Sequence, residues 1–286
     1  MSFLVFGGKN GWIGEKVVNL LKEQRLPVYI STSRLEDRKD IIYELETIKP
    51  KYIINCAGIT GRPNIDYCES PEGRIATIRS NVIGTLNLID VANLYRIHVT
   101  NFATGCIYEY NESHPIDGKG FTEDDSPNFY GSFYARSKVI AETFARNFDN
   151  VLTLRLRMPI DFDLKHPRNF IYKILNYDKV IDVPNSMTIL PELLPIAIDM
   201  TKKQKKGIYN FVNPGTISHN EILAMYRDYV DPNFKWVNFT IEEQNQILKA
   251  RRSNCCLDVS KLMQEYPDIK PIKEAVKNIF QKQINL

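Results

Sequence analysis

The chain has 286 residues, 43% hydrophobic and 25% charged, with 37 basic against 34 acidic side chains and a net charge of +3. That composition provides a sizeable core for one large or two closely packed domains, and it excludes collagenous, disordered and disulfide-stapled miniprotein classes. So small a net charge advertises neither a nucleic-acid nor an anionic-membrane partner. No apolar run approaches the roughly 18 residues of a membrane span, and the opening MSFLVFGGKNG lacks a basic leader and a cleavage site, so a soluble, cytoplasmic protein is expected. Five cysteines, at 56, 68, 106, 255 and 256, have no metal-site spacing, so neither a disulfide framework nor a metal site is expected.

Phe3 to Phe6 is a short apolar run, followed by Gly7, Gly8, Gly11 and Gly14 and then by Val17, Val18, Leu20 and Leu21 at helical spacing, which reads as strand, glycine turn and helix. The alternation continues through a strand at Pro27 to Ser31, a helix ending near Ile48, a strand at Tyr52 to Cys56, a helix from Asn81 to Tyr95 and a strand at His98 to Ala103. A helix from about Ser132 to Asn147 then leads into Val151 to Arg157, a run placed to close the sheet. Repeated β-α units predict an α/β fold, a doubly wound parallel sheet of Rossmann type. From Met158 the pattern changes to shorter elements rich in proline, so residues 1–157 are expected to form the dinucleotide-binding domain and 158–286 a smaller substrate domain, some of whose segments return to pack on the first. The polar stretch from Asn111 to Gly131 is long for a structureless connection and reads as a mobile active-site flap.

The spacing Gly8-x-x-Gly11-x-x-Gly14 between strand and helix suits a pyrophosphate, because glycines admit the phosphate to the backbone and the helix amino end supplies N–H donors and positive dipole. Trp12 and Ile13 lie within that turn, and Cys56, Ala57 and Gly58 follow the third strand as further cofactor-binding candidates. After the second strand, where an acidic residue would take a ribose 2′-hydroxyl, the chain reads Ser31-Thr32-Ser33-Arg34. Ser33 and Arg34 suit a 2′-phosphate, which favours NADPH over NADH; Arg38 competes for that role, and a solvated surface charge is the plain alternative for Arg34.

Tyr-x-x-x-Lys occurs twice. Tyr266 to Lys270 contains Pro267, whereas Tyr134 and Lys138 open a proline-free helix, where an i, i+4 pair shares a face. An ammonium near the phenol is expected to lower the tyrosine pKa toward neutrality for proton exchange at a carbonyl oxygen, and Lys138 also suits the nicotinamide ribose. Thr104, at the carboxyl edge of the sheet, suits the same carbonyl. Asn81 reads equally as the anchor of a water relay to Lys138 and as a plain helix cap.

Taken in order, the glycine turn, Asn55-Cys-Ala-Gly58, Asn81, Thr104 and Tyr134/Lys138 resemble the extended short-chain dehydrogenase/reductases. The stretches Thr60 to Glu69 (TGRPNIDYCE), Ala103 to Tyr110 (ATGCIYEY), Pro127 to Tyr134 (PNFYGSFY) and Asn185 to Leu190 (NSMTIL) are more specific. They are similar to the nucleotide-rhamnose synthase/epimerase-reductases, which also form the carboxyl-terminal half of plant UDP-rhamnose synthases, and the similarity runs from about Phe3 to Phe280. The resemblance implies conversion of UDP-4-keto-6-deoxyglucose to UDP-L-rhamnose by epimerisation at C3 and C5 and reduction at C4.

Within that resemblance Cys106 stands where the related fucose synthases carry their epimerase cysteine, and Lys173 where this family places the opposing acid, with His166 as runner-up. Plain alternatives are a buried filler for Cys106 and a solvated helix charge for Lys173. Arg252 resembles the residue that meets the substrate diphosphate, with Arg251 competing for the contact. Asn169 and Thr188 are implied nucleotide contacts, and Arg62, Asn64 and Asp66 either line the sugar site or fix their loop. Gly105 and Cys106 replace the acidic pair of the sugar-nucleotide 4,6-dehydratases, so a separate UDP-glucose 4,6-dehydratase is expected to supply the substrate. The helices near 81–95 and 132–147 resemble the family's dimer-forming pair, implying a homodimer. Two other functions remain open at this level: a 4-ketoreductase without epimerase activity, and a non-catalytic NADP-binding regulatory subunit, against which an intact Thr104, Tyr134 and Lys138 argue.

Overall fold

A computed structural model describes residues 2–284. Four consecutive buried apolar residues form β1 (Phe3–Phe6), and Gly7 to Gly11 turn the chain into α1 (Trp12–Glu23). Then come β2 (Val28–Ile30), α2 (Arg38–Ile48) and β3 (Tyr52–Asn55), a short 3₁₀ turn (Ile65–Glu69), and α3 (Pro71–Thr77). A π-helical segment (Ile78–Gly84) joins α3 directly to α4 (Thr85–Leu94), which is followed by β4 (His98–Thr104), α5 (Phe133–Ala145) and β5 (Val151–Leu156). The remainder holds α6 (Phe170–Leu175), α7 (Leu190–Lys202), β6 (Gly207–Asn210), α8 (His219–Tyr229), α9 (Ile241–Ile247), α10 (Ser260–Glu265) and α11 (Ile272–Ile284).

The six strands form one sheet in the order β2-β1-β3-β4-β5-β6, with β1 pairing parallel to both β2 and β3, and β3 parallel to β4. The doubly wound sheet read from the sequence is therefore present, and its order reverses between β1 and β3, the place where open α/β sheets bind ligands. The run from Val151 does not close the sheet: β6 lies outside β5. The helix expected to start at Asn81 starts ten residues earlier at Pro71, where Ser70 Oγ accepts the Gly73 N–H (3.0 Å) and proline occupies the first position, which needs no N–H.

The chain divides into two compact units. The first comprises residues up to Ile107, Tyr130–Arg155 and Leu194–Tyr209; the second comprises Tyr108–Phe129, Leu156–Leu193 and the chain from Asn210 onward. In the first, Leu4, Phe6, Ile53 and Val99 of the sheet pack with Ile41 and Leu45 of α2 and Leu88 and Val91 of α4. Arg155 on β5 is fully buried there, and Glu142 of α5 takes its Nε and Nη2 hydrogen bonds at 3.0 and 2.6 Å, the fork-to-fork geometry that makes a buried cation tolerable.

In the second unit, Ile160, Ile171, Met187, Leu223, Val276 and Phe280 form the core. The stretch expected as a mobile flap is stitched into this unit: Phe121 donates to Cys256 O (2.9 Å), its own carbonyl accepts from Asp258 N (2.8 Å), and its ring is buried. Buried Arg157 joins two further segments, donating to Asn185 Oδ1 (2.6 Å) and Ser253 Oγ (2.7 Å). Among the described residues no helix is long and apolar enough to cross a membrane.

Candidate active site

The glycine turn is shaped by close approach. Gly7 has φ +76°, and a side chain there would meet Ala57 N at 2.8 Å and Cys56 C at 2.9 Å, so β1 and the end of β3 come together only over a glycine. The Gly7 carbonyl accepts the Gly11 N–H at 3.1 Å, and a Cβ at Gly11 or Gly14 would lie 2.5 or 2.2 Å from that oxygen. Gly11 is the N-cap residue of α1 and Trp12 its first helical residue, with the Lys16 ammonium over the Trp12 ring; Ile13 follows in the first turn. A cavity of about 410 Å³ opens beside the turn, lined by Gly7, Lys9, Gly11, Ser31 to Glu36, Ala57 and Ser80. Bare backbone at a helix start facing such a space fits the diphosphate of a dinucleotide.

The loop after β2 is braced by Glu44, which accepts from Ser31 Oγ (2.6 Å) and Thr32 N (2.8 Å). That leaves Ser33 and Arg34 lining the cavity, while Arg38 is paired with Asp90 at 2.5 Å. Of the two arginines, Arg34 is the one that lines the cavity.

Gly58 faces Asn81 and Lys138: a Cβ there would lie 3.2 Å from Asn81 Oδ1 and 3.5 Å from Lys138 Nζ. Asn81 is not a helix cap. It is fully buried in the π-helical segment, where its Oδ1 accepts the Ile59 N–H (2.7 Å) and its Nδ2 donates to Ile59 O (2.9 Å) and to Ser137 Oγ (3.4 Å). π turns frequently mark functional positions.

Thr104 ends β4, and its Oγ1 accepts the Cys106 N–H at 3.1 Å. Tyr134 opens α5 and hydrogen bonds the Thr104 side chain; Lys138 follows one turn later. The tyrosine pKa is not lowered as the sequence led us to expect. Burial raises it strongly, and a charge on Cys106 raises it further, against a smaller opposing effect of the Thr104 hydrogen bond. The phenol is therefore a protonated group, a donor rather than a base. Lys138 is pushed down to about 8 by burial, partly offset by the Glu142 carboxylate. Cys106 is half-buried.

Arg62 is exposed and precedes Pro63 through a cis bond, while Asn64 accepts the Asp66 N–H (2.8 Å) and so caps the 3₁₀ turn.

In the second unit, Lys173 on α6 is lowered by burial and by the charges of Arg168 and Arg252. Arg252 is half-buried there, whereas Arg251 is committed to Glu109 at 2.9 Å. His166 Nδ1 accepts the Arg168 N–H (3.1 Å) within its loop. Asn169 and Thr188 are fully buried and engaged: Asn169 caps α6 and donates to the carbonyls of Asp161 and Asp163 (both 2.8 Å), and Thr188 Oγ1 bridges Arg157 N (3.0 Å) and Phe211 O (2.8 Å). Sequence reasoning placed Gly7 in the turn without giving it a role, and missed Glu44 and Ser137, neither of which carries a local signal. It also missed His219, a buried imidazole at the start of α8 whose ring nitrogens have no partner among the described residues.

Residues 3–157 match the model of the NAD dependent epimerase/dehydratase family. The chain belongs to this family. It is 52% identical over 282 residues, 98% of this chain and 93% of the relative, to a bifunctional dTDP-4-dehydrorhamnose 3,5-epimerase/dTDP-4-dehydrorhamnose reductase of Arabidopsis thaliana. A trifunctional UDP-glucose 4,6-dehydratase/UDP-4-keto-6-deoxy-D-glucose 3,5-epimerase/UDP-4-keto-L-rhamnose-reductase of the same plant is 51% identical over 277 residues, covering 96% of this chain but 41% of that relative. Among solved structures, the UDP-rhamnose synthase of Acanthamoeba polyphaga mimivirus superposes with a TM-score of 0.94 at 40% identity over 99% of both chains. Within this epimerase/dehydratase fold, Thr104, Tyr134 and Lys138 sit on the first unit with Cys106 beside Thr104, so hydroxyl, ammonium and thiol groups are brought together there.

The Lys138 environment has a measurable consequence. In carbon-13-labelled lysine spectra Lys138 should titrate near pH 8 and vanish in Lys138→Met. Because its folded pKa lies below its unfolded value of about 10.4, the burial penalty is full below pH 8 and is relieved as pH rises toward 10, so the parent should gain stability relative to Lys138→Met over that window. A midpoint above 10 would remove the desolvation argument.

Proposed function

We propose that this protein is a bifunctional 3,5-epimerase/4-reductase that converts UDP-4-keto-6-deoxy-D-glucose to UDP-L-rhamnose with NADPH. The observation that carries the reading is the Cys106 thiol beside Thr104 and Tyr134, a base next to a proton-donating pair. The curated relatives similar over nearly the whole chain, named for epimerase and reductase activities together, support it.

The 4-keto group acidifies the protons on C3 and C5. Cys106 as thiolate removes one of them, and the electron pair passes to the carbonyl oxygen, which the Thr104 and Tyr134 hydroxyls hold by hydrogen bonds. Lys173, whose proton is made more labile by burial and by its cationic neighbours, returns a proton to the opposite face. When bound, NADPH supplies the hydride for C4. Tyr134 then gives its proton to the oxygen on C4, and Lys138 holds the ribose and restores the phenol through a water relay anchored by Asn81. Gly7, Gly8, Gly11, Trp12, Ile13, Gly14 and Cys56 to Gly58 would frame the dinucleotide, and Arg34 with Ser33 would take its 2′-phosphate. Arg252 would hold the substrate diphosphate, with Arg62 and Asn64 near the sugar and Asn169 and Thr188 supporting the nucleotide from within the packed core.

Residues 1–157 would thus carry the dinucleotide site together with Arg62, Asn64, Thr104, Cys106 and Tyr134, and 158–286 the remaining substrate contacts. Neither Gly105 nor Cys106 offers a carboxylate for dehydration, so a separate 4,6-dehydratase would supply the keto sugar. None of the five cysteines forms a disulfide, as suits the reducing cytoplasm, and cell fractionation would locate the protein. The exposed Ile83 just before α4, Leu94 at its end, and Ile140 and Phe144 on α5 support a homodimer. Sedimentation should give twice the chain mass, reduced to one by Ile140→Glu with Phe144→Glu; a monomeric parent would remove the dimer.

The deciding assay incubates the protein with UDP- and dTDP-4-keto-6-deoxyglucose and NADPH and identifies the sugar formed, UDP-L-rhamnose being expected. Cys106→Ala should lose solvent deuterium exchange at C3 and C5 and rhamnose formation while still binding NADPH. Tyr134→Phe should lose reduction roughly 100-fold or more yet retain exchange. Rhamnose formation by Cys106→Ala at the parent rate would leave a plain 4-ketoreductase; no turnover by the parent would leave an NADP-binding subunit. For coenzyme choice, Arg34→Ala should raise the KM for NADPH about tenfold or more and leave that for NADH nearly unchanged. Equal changes would show that Arg34 does not meet the 2′-phosphate.

A further inference from the structure

Tyr134 can act only if the first turn of α5 is held in place, and the structure shows what holds it. Ser132 Oγ accepts the Ala135 N–H at 3.0 Å, an ordinary cap. The Phe133 N–H, the first of the helix, is taken from outside the helix by Glu69 Oε1 at 2.6 Å. Glu69 ends the 3₁₀ turn that precedes α3, sixty-four residues away in sequence. Its other oxygen lies 3.6 Å from Arg74 Nη2 and 3.9 Å from Arg136 Nη2, and both guanidiniums flank the Phe133 ring at 5.6 and 5.7 Å. The carboxylate is mostly buried while the two arginines are about half exposed, so the bond to the helix is shielded and the ion pairs are peripheral.

We propose that Glu69 is a positioning residue for Tyr134: it fixes the start of α5 and thereby the angle at which the phenol meets the Thr104 hydroxyl and the substrate carbonyl. A short, charge-assisted bond to the N–H adjacent to Tyr134 acts on that residue directly, and a negative charge at a helix amino end is favourable in itself. Misplacing a reacting group by about 1 Å can cost 100-fold in rate, so a loosened first turn would be felt in turnover before it was felt in binding.

The inference rests on Tyr134 being the proton donor to C4. Its test compares Glu69→Ala, Glu69→Gln and the parent in NADPH oxidation with UDP-4-keto-6-deoxyglucose, beside deuterium exchange at C3 and C5. Glu69→Ala should lower kcat for reduction roughly tenfold with KM within about twofold and exchange little altered. Glu69→Gln, which keeps an acceptor for the Phe133 N–H, should retain at least about half of the parent kcat. Should the alanine variant not fold, Glu69→Asp, one methylene too short to reach, should show the same loss. A parent-like kcat in the alanine or aspartate variant, equal losses in alanine and glutamine variants, or a rise in KM in place of a fall in kcat would each overturn the proposal. Failure of the functional reading would appear separately, as a parent that does not reduce this substrate.

Discussion

The approach of Gly7 to the end of β3 is the constraint on which the first unit depends. A side chain at this position would collide with the backbone of Cys56 and Ala57, and its left-handed conformation is one that an L residue adopts only at a cost of about 1–2 kcal/mol. Because the two strands meet there, the Gly7 carbonyl can serve as the floor of the turn, and Gly11 and Gly14 follow over it. The same contact fixes where β3 ends. Asn55, its last residue, donates to Asn101 Oδ1 on β4 at 2.9 Å and accepts from Ala57 N at 3.1 Å. The cavity beside the turn and the edge that presents Gly58 and Thr104 are thus consequences of one close packing at the point where the strand order reverses.

The π-helical segment plays the equivalent part on the helical side. An ordinary α-helix from Pro71 to Leu94 would carry Asn81 in a different rotational register, because each wide turn adds a residue to the hydrogen-bonded ring. Such segments cost stability and persist where a side chain needs the altered position. Here Asn81 grips both polar atoms of Ile59 and reaches Ser137, whose hydroxyl in turn donates to the Tyr134 carbonyl at 2.7 Å. The loop carrying Gly58 and the first turn of α5, the helix that also carries Lys138, are consequently tied to one buried amide.

The parts legible in the sequence are those encoded locally. Buried strands announce themselves as apolar runs, the close-packed turn before α1 as glycines at fixed spacing, and the Tyr134/Lys138 pair as an i, i+4 match on a proline-free helix. What could not be read is fixed by partners distant in the chain. Asn81 looks like a cap until the helix is found to begin at Pro71; Arg155 looks like the polar face of an edge strand until Glu142 is found against it; Glu69 carries no signal, since its partner is a backbone N–H. The segment from Asn111 to Gly131 reads as free because its ties, to Cys256 and Asp258, are equally remote. Neither does composition reveal that residues 194–209 rejoin the first unit after the second has begun.

The electrostatics of α5 show why an ammonium beside a tyrosine is not enough to predict its ionisation. Tyr134, Lys138 and Glu142 recur at intervals of four and share one face, but Glu142 is engaged by the buried Arg155, and Lys138 is itself desolvated. Burial therefore acts on both members of the pair in the direction of neutrality, raising the phenol and lowering the amine. A charge on Cys106 pushes the phenol the same way. That effect suits the two-step reaction proposed above: a negative charge placed on Cys106 would make the neighbouring phenol a firmer holder of its proton, as a donor to oxygen beside a base acting on carbon would need to be.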